Sequence, residues 1–157
     1  MQDSSTMIMD SVQIKGVDET KRKVTATLYD NATLTITEKI LTSKNQIAKT
    51  DFIVTLEGKN SSTHVTSRSV AADNSYQEFT SNVIGNNKSF AHISCDAIIK
   101  DNASVKAIPE IYANHLEAHL IHEAAIGKIA SDQLTKLMSL GLTNKEAEET
   151  IIKGFLK

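Results

Sequence analysis

Tryptophan is absent from the 157 residues and aromatics make up only 4% of them, so aliphatic side chains must build any core. A single cysteine, Cys95, excludes an internal disulfide and points to a reducing, cytoplasmic setting. The only two arginines, Arg22 and Arg68, lie far apart, and the formal charge is −2; nucleic acid is therefore not an expected partner. No apolar run approaches the roughly 20 residues of a membrane helix. The opening MQDSSTMIMD has neither the basic start nor the apolar centre of a secretory signal, so no membrane partner is expected. This length accommodates one domain, or a core with a small appendage.

What the chain does have is regular punctuation. Asn31, Asn45, Asn60, Asn74, Asn87, Asn102 and Asn114 sit in turn-like contexts at spacings of 14, 15, 14, 13, 15 and 12. Asparagine tolerates the left-handed region and closes turns with its side chain. Between these marks lie alternating, β-branched segments: KVTATLY (23–29), ATLTIT (32–37), DFIVTL (51–56), THVTSRSV (63–70), EFTSNVI (78–84), SFAHISCDAII (89–99) and SVKAIPEIYA (104–113). They read as strands. Even spacing suits an antiparallel sandwich or barrel, or a solenoid of stacked coils. Two-residue Asn-Gly or Asp-Gly hairpin turns do not occur, whereas Asp-Asn plus a small residue recurs as DNAT, DNSY and DNAS. One turn chemistry repeated at a fixed period favours the solenoid, with two units making a rung of about 28 residues.

Three of the five histidines fall in HLEAHLIHEA (115–124). On a helix His115, His119 and His122 would share a face suited to zinc. The segment instead continues the asparagine period, so it is expected to be the last strand. His119 and Glu123 then share one face while His122 turns towards the core with Leu120 and Ala124, and His115 and His119 are solvated or rim residues. A helical tail follows. Leu134, Leu137 and Met138 have helical spacing between Ser131, expected as N-cap, and Gly141 as C-terminal stop. A second helix opens with a Thr143–Glu146 capping box and carries Ala147, Ile151, Phe155 and Leu156 on an apolar stripe.

The ordered series CDAII (95–99), IPE (108–110), HEAAIGKI (122–129), DQL (132–134), LMSLGLT (137–143), EA (146–147) and GFLK (154–157) resembles the C-terminal half of the SufB/SufD family of iron–sulfur cluster assembly proteins, somewhat more on the SufB side. The likeness spans about residues 50–157. It implies a mainly β chain: a right-handed parallel β-helix over 1–125, shorter at its N-terminal side than the family's, and a short C-terminal α-helical segment over 126–157. It also implies a non-enzymatic scaffold that pairs with a SufB- or SufD-type chain as homodimer or heterodimer. The tail would dock on a SufC-like ABC ATPase, with Leu137, Met138, Ile151 and Phe155 as candidate anchors. SufB-like members take a transient Fe–S cluster, and the family's cluster positions fall on Cys95, His122 and Glu123. The chain departs from the pattern at Ser94, Ile121, Thr135 and Lys136, where the family has a glutamine, a glutamate and aromatics.

Read from the residues, Cys95 alternates with Ile93, Ala97 and Ile99 and fits a small buried hydrophobe. As a ligand it must be a thiolate, which burial disfavours without a cationic or metal partner. His122 follows 27 positions later, one rung by this period, so the two could stack about 5 Å apart. Two other functions stay in view. One is a purely structural dimerisation module without cluster chemistry. The other is a carbohydrate-active β-helix enzyme, for which Asp96 and Glu123 are the nearest acidic pair.

Overall fold

The computed structural model describes residues 4–10 and 18–157. Nine strands precede two helices: β1 (Ser4–Asp10), β2 (Glu19–Leu28), β3 (Thr33–Thr42), β4 (Ile47–Leu56), β5 (Ser61–Ala71), β6 (Tyr76–Gly85), β7 (Ser89–Ile99), β8 (Ser104–Ala113), β9 (Ala118–Gly127), α1 (Ser131–Ser139) and α2 (Asn144–Phe155). Odd strands form one parallel sheet, β1-β3-β5-β7-β9, and even strands the other, β2-β4-β6-β8. Each strand crosses to the opposite sheet and the next returns, so the chain winds a flattened β-helix of about four turns. The sandwich and barrel alternatives are excluded, since every described pairing is parallel.

Register follows from corner length. Strand partners are offset by 28 or 29 residues, as in Glu19 with Ile47 and Thr33 with Ser62. Asn31 and Asn60 take φ of 59° at one set of corners. At the other set the left-handed residue is the one before the asparagine: Lys44, Asp73 and Asp101, with φ between 55° and 59°. Corner side chains then link neighbouring coils. Asp30 accepts from the Lys59 amide at 2.7 Å, Asp73 from the Lys44 amide at 2.6 Å, and Asn114 donates to Asn86 at 2.8 Å. At Gly58 a Cβ would run into the Tyr29 backbone of the coil beneath, which is why that corner carries no side chain.

Alternate residues point into the coil. Leu34, Ile36, Val65, Ala91 and Ile93 from one sheet meet Phe52, Val54, Leu56, Phe79 and Val83 from the other, with the Phe52 and Phe79 rings 5.5 Å apart. Each large side chain so buried contributes about 1.5–3 kcal/mol of transfer free energy. β8 and β9 are the last strands of their sheets. Ile111 and Ile126 lie in inward rows yet are 41% and 38% exposed, because no further rung covers them.

In the tail, α2 has the expected capping box between Thr143 and Glu146, and Gly141 ends α1 with φ 98°. The N-cap of α1 differs from expectation. Ser131 already lies within the helix, and extended Ala130 precedes it with no side-chain cap. The helix pair is tied to the coil through α2: Lys100 meets Glu148 at 2.6 Å, and Arg68 donates to the Phe155 carbonyl at 3.2 Å. Ala147 is fully buried. Among the described residues, no helix is long and apolar enough to cross a membrane.

Candidate functional site

Cys95 sits in the middle of β7 and points into the coil, 2% exposed. Its inward row runs Glu38, Ser67, Cys95, Ala124, one residue from each of β3, β5, β7 and β9. The N-terminal end of this row is strongly polar. Fully buried Glu38 meets Arg22 Nη2 at 2.9 Å through Oε1, accepts from Thr50 at 2.8 Å on the same oxygen, and accepts from Ser67 at 2.7 Å on Oε2. Ser67 therefore lies between the carboxylate and the thiol. Burial first, then the negative charges of Glu38 and Asp96, push the Cys95 thiol up to about 12. At neutral pH it is a protonated thiol, and it becomes a nucleophile or ligand only when a cation displaces the proton.

His122 also points inwards, from β9, but the offset between β7 and β9 is 29 residues rather than 27. Its strand partner is accordingly Ile93, and Ala124 faces Cys95. Cys95 and His122 thus share the coil interior on a diagonal. The imidazole is half-buried, its ring 6.5 Å from Phe79, and Nε2 is buried without a hydrogen-bond partner. Burial lowers its pKa, so the ring is neutral and keeps a lone pair, the form that binds metals.

Glu123 is on the other face of β9. Its carboxylate is exposed and lies 3.2 Å from His92 Nε2. The three residues singled out from the family pattern therefore divide into an interior pair and an outward one. Among the described residues, no three His, Cys, Asp or Glu side chains converge on one point. His115 falls in the β8–β9 corner, where Nδ1 accepts from the Glu117 amide at 3.0 Å, and His119 is exposed. Of the tail candidates, Leu137, Ile151 and Phe155 are half-buried, whereas Met138 is exposed beside Leu140 at 44% and 77%.

Sequence reasoning missed Arg22 and Glu38. A signal was present: in TLTITEKI the inward positions read Leu34, Ile36, Glu38, Ile40, a charge in an apolar row. It also passed over His64 and His92, which are one coil apart.

A profile of the SUF system FeS cluster assembly, SufBD core domain, matches residues 1–155. The chain belongs to the SufBD core-domain family. An iron–sulfur cluster assembly SufBD family protein of Methanocaldococcus jannaschii is 37% identical over 127 residues, covering 80% of this chain and 40% of the relative. One of Pyrococcus horikoshii is 33% identical over 143 residues, 88% of this chain and 43% of the relative. One of Archaeoglobus fulgidus, 27% identical, aligns over the whole chain and 43% of its own length. The chain thus spans about two-fifths of the length of these SufBD relatives.

Proposed function

We propose that this chain is a cytoplasmic, non-enzymatic scaffold component of SUF iron–sulfur cluster assembly, which pairs with another SufB- or SufD-type chain and docks a SufC-like ABC ATPase. The observation that carries this reading is the position of Cys95. It lies one rung below the open end of the coil, with neutral His122 on the last rung and exposed Ile111 and Ile126 around it. A second β-helix seated on that end would cover the isoleucines and the backbone groups of the last strands. It would also enclose Cys95 and His122 in a shared, dry interior. Thiolate and imidazole suit iron and a nascent cluster, which is cargo here, with remaining positions filled by sulfide or the partner chain. Glu123, facing outwards, would join them only from the rim.

The ATPase would meet the tail at its exposed side. Met138 is the candidate anchor that is free to make the contact, while half-buried Leu137, Ile151 and Phe155 hold the helix pair. Tagged protein co-expressed with a SufC-type ATPase should retain it, and Met138→Glu should release it without changing the circular dichroism. Retention by the variant would move the interface elsewhere. Cluster chemistry is tested separately: anaerobic reconstitution with iron and sulfide should give charge-transfer absorption that Cys95→Ala removes.

A purely structural dimerisation module is the second reading. Deep burial of a protonated Cys95 and the outward turn of Glu123 favour it. Wild-type-like cluster content in folded Cys95→Ala would put this reading first.

A further inference from the structure

His64 on β5 and His92 on β7 are strand partners on the outward face of the odd-strand sheet. Their Cα atoms stand one strand spacing apart, about 4.8 Å, with side chains projecting the same way. From β9, Glu123 reaches back over this face and brings Oε2 to 3.2 Å from His92 Nε2. Three consecutive coils therefore deliver two imidazoles and a carboxylate to one patch of surface.

We propose that His92 and Glu123, joined by His64, form a surface site for a divalent first-row transition-metal cation, separate from the interior pair Cys95 and His122. The His92–Glu123 separation of 3.2 Å matches the chord between two metal–ligand bonds of about 2.1 Å meeting at about 100°. That angle lies between tetrahedral and cis-octahedral values, so a cation can replace the hydrogen bond without moving either strand. The His64 ring leans on Phe90, with centroids 5.5 Å apart, one coil from His92 on the same face, and it would complete the set only on leaving Phe90. The side chains of His92 and Glu123 are 37% and 68% exposed, so water completes the coordination shell. An imidazole–carboxylate set with open positions suits zinc or ferrous iron better than calcium or magnesium.

The site does not rest on the cluster-assembly reading, because its ligands lie on the opposite face of β7 and β9 from Cys95 and His122. Cys95→Ala protein is therefore the right background, since it removes the one soft ligand. Zinc titration followed by calorimetry should give one equivalent bound. Ring-nitrogen NMR shifts should be largest at His64 and His92 and small at His115, His119 and His122. His92→Ala should lower zinc affinity at least tenfold, and Glu123→Gln and His64→Ala severalfold each. All three positions are exposed or half-exposed, and circular dichroism confirms folding. No binding at millimolar zinc, shifts centred on His115 and His119, or unchanged affinity in His92→Ala would each overturn the proposal. Because ATPase capture and Cys95-dependent cluster reconstitution are read in other experiments, their failure leaves the zinc result standing.

Discussion

Arg22 reaches Glu38 at 2.9 Å inside the coil, and the carboxylate it meets has no solvent exposure. Thr50 and Ser67 supply further hydrogen bonds, so the charge is held by three side chains from three other strands. Removing one member of such a pair strands the other. Arg22→Ala is expected to destabilise the protein by about 3–5 kcal/mol, because it leaves a buried carboxylate without its counter-charge. The double variant Arg22→Met, Glu38→Leu should recover most of that loss, since an apolar pair of similar volume has no charge to desolvate. Urea unfolding of the single and double variants measures both. Equal losses would mean that packing, not charge, is what the pair provides.

Lys44 occupies a left-handed corner with φ 55°, where neighbouring coils use Asp73 and Asp101. A non-glycine residue there carries about 1–2 kcal/mol of steric cost, while glycine loses about 0.5–1 kcal/mol through chain entropy. The contact to the next coil uses the Lys44 amide, which donates to Asp73 at 2.6 Å and survives substitution. Lys44→Gly is therefore expected to be neutral to stabilising by up to about 1 kcal/mol. Asn31→Val, which puts a β-branched residue at φ 59°, should cost more than 1 kcal/mol by the same steric argument. Thermal unfolding of the two variants should shift in opposite directions or leave Lys44→Gly unmoved.

The corners also explain what was legible in the sequence. The asparagine period survives as the coil period because Asn31 and Asn60 take a conformation that few other residues accept. The family resemblance rested on the ordered tail motifs, and the capping box and Gly141 stop appear where the residues placed them. Register was not legible to the residue. Coil offsets switch between 28 and 29 without a fixed order, and the β6–β7 corner is one residue shorter than the other corners from β2 onwards. An error of two positions moved His122 from Ile93 to Cys95 in the expected stacking. The Arg22–Glu38 pair was hidden for another reason. Glu38 stands out as a charge in an apolar row, but Arg22 looks like an exposed strand charge by itself, and only the turn between β3 and β4 brings Thr50 and Glu38 face to face. The first rung escaped notice because SSTMIMD (4–10) lacks a clean alternation.

His122 gives an acid-side prediction. Burial lowers its folded pKa below the ordinary 6.5. The unfolded chain therefore binds a proton more readily than the folded one, and stability falls as pH drops below about 6.5 towards the folded value. His122→Leu removes the titration and the unpartnered buried Nε2. Unfolding measured at pH 7.5 and pH 5 should show a smaller acid-side loss in His122→Leu than in wild type, together with equal or greater stability at the higher pH. An identical loss in both proteins would assign the acid sensitivity to other groups.

Cys95 gives the opposite sign. Its folded pKa of about 12 lies above the ordinary 9.0, so the thiol's contribution is complete below pH 9 and is lost as pH rises towards 12. Two measurements separate this from general alkaline unfolding. First, alkylation of the native protein at pH 8 by iodoacetamide should be slower than in denaturant by on the order of a hundredfold or more, since both thiolate fraction and access are reduced. Second, the stability difference between wild type and Cys95→Ala should shrink between pH 9 and pH 11, because only wild type has a buried thiol to ionise beside Glu38. Asp96 adds to that repulsion from β7 itself. Asp96→Asn should therefore narrow the alkaline loss, and Glu38→Gln should narrow it further, because Glu38 ranks ahead of Asp96 among the charges acting on the thiol. Rapid alkylation of folded protein at pH 8, with no alkaline difference between wild type and Cys95→Ala, would mean that Cys95 is reached by solvent and already ionises near the ordinary value.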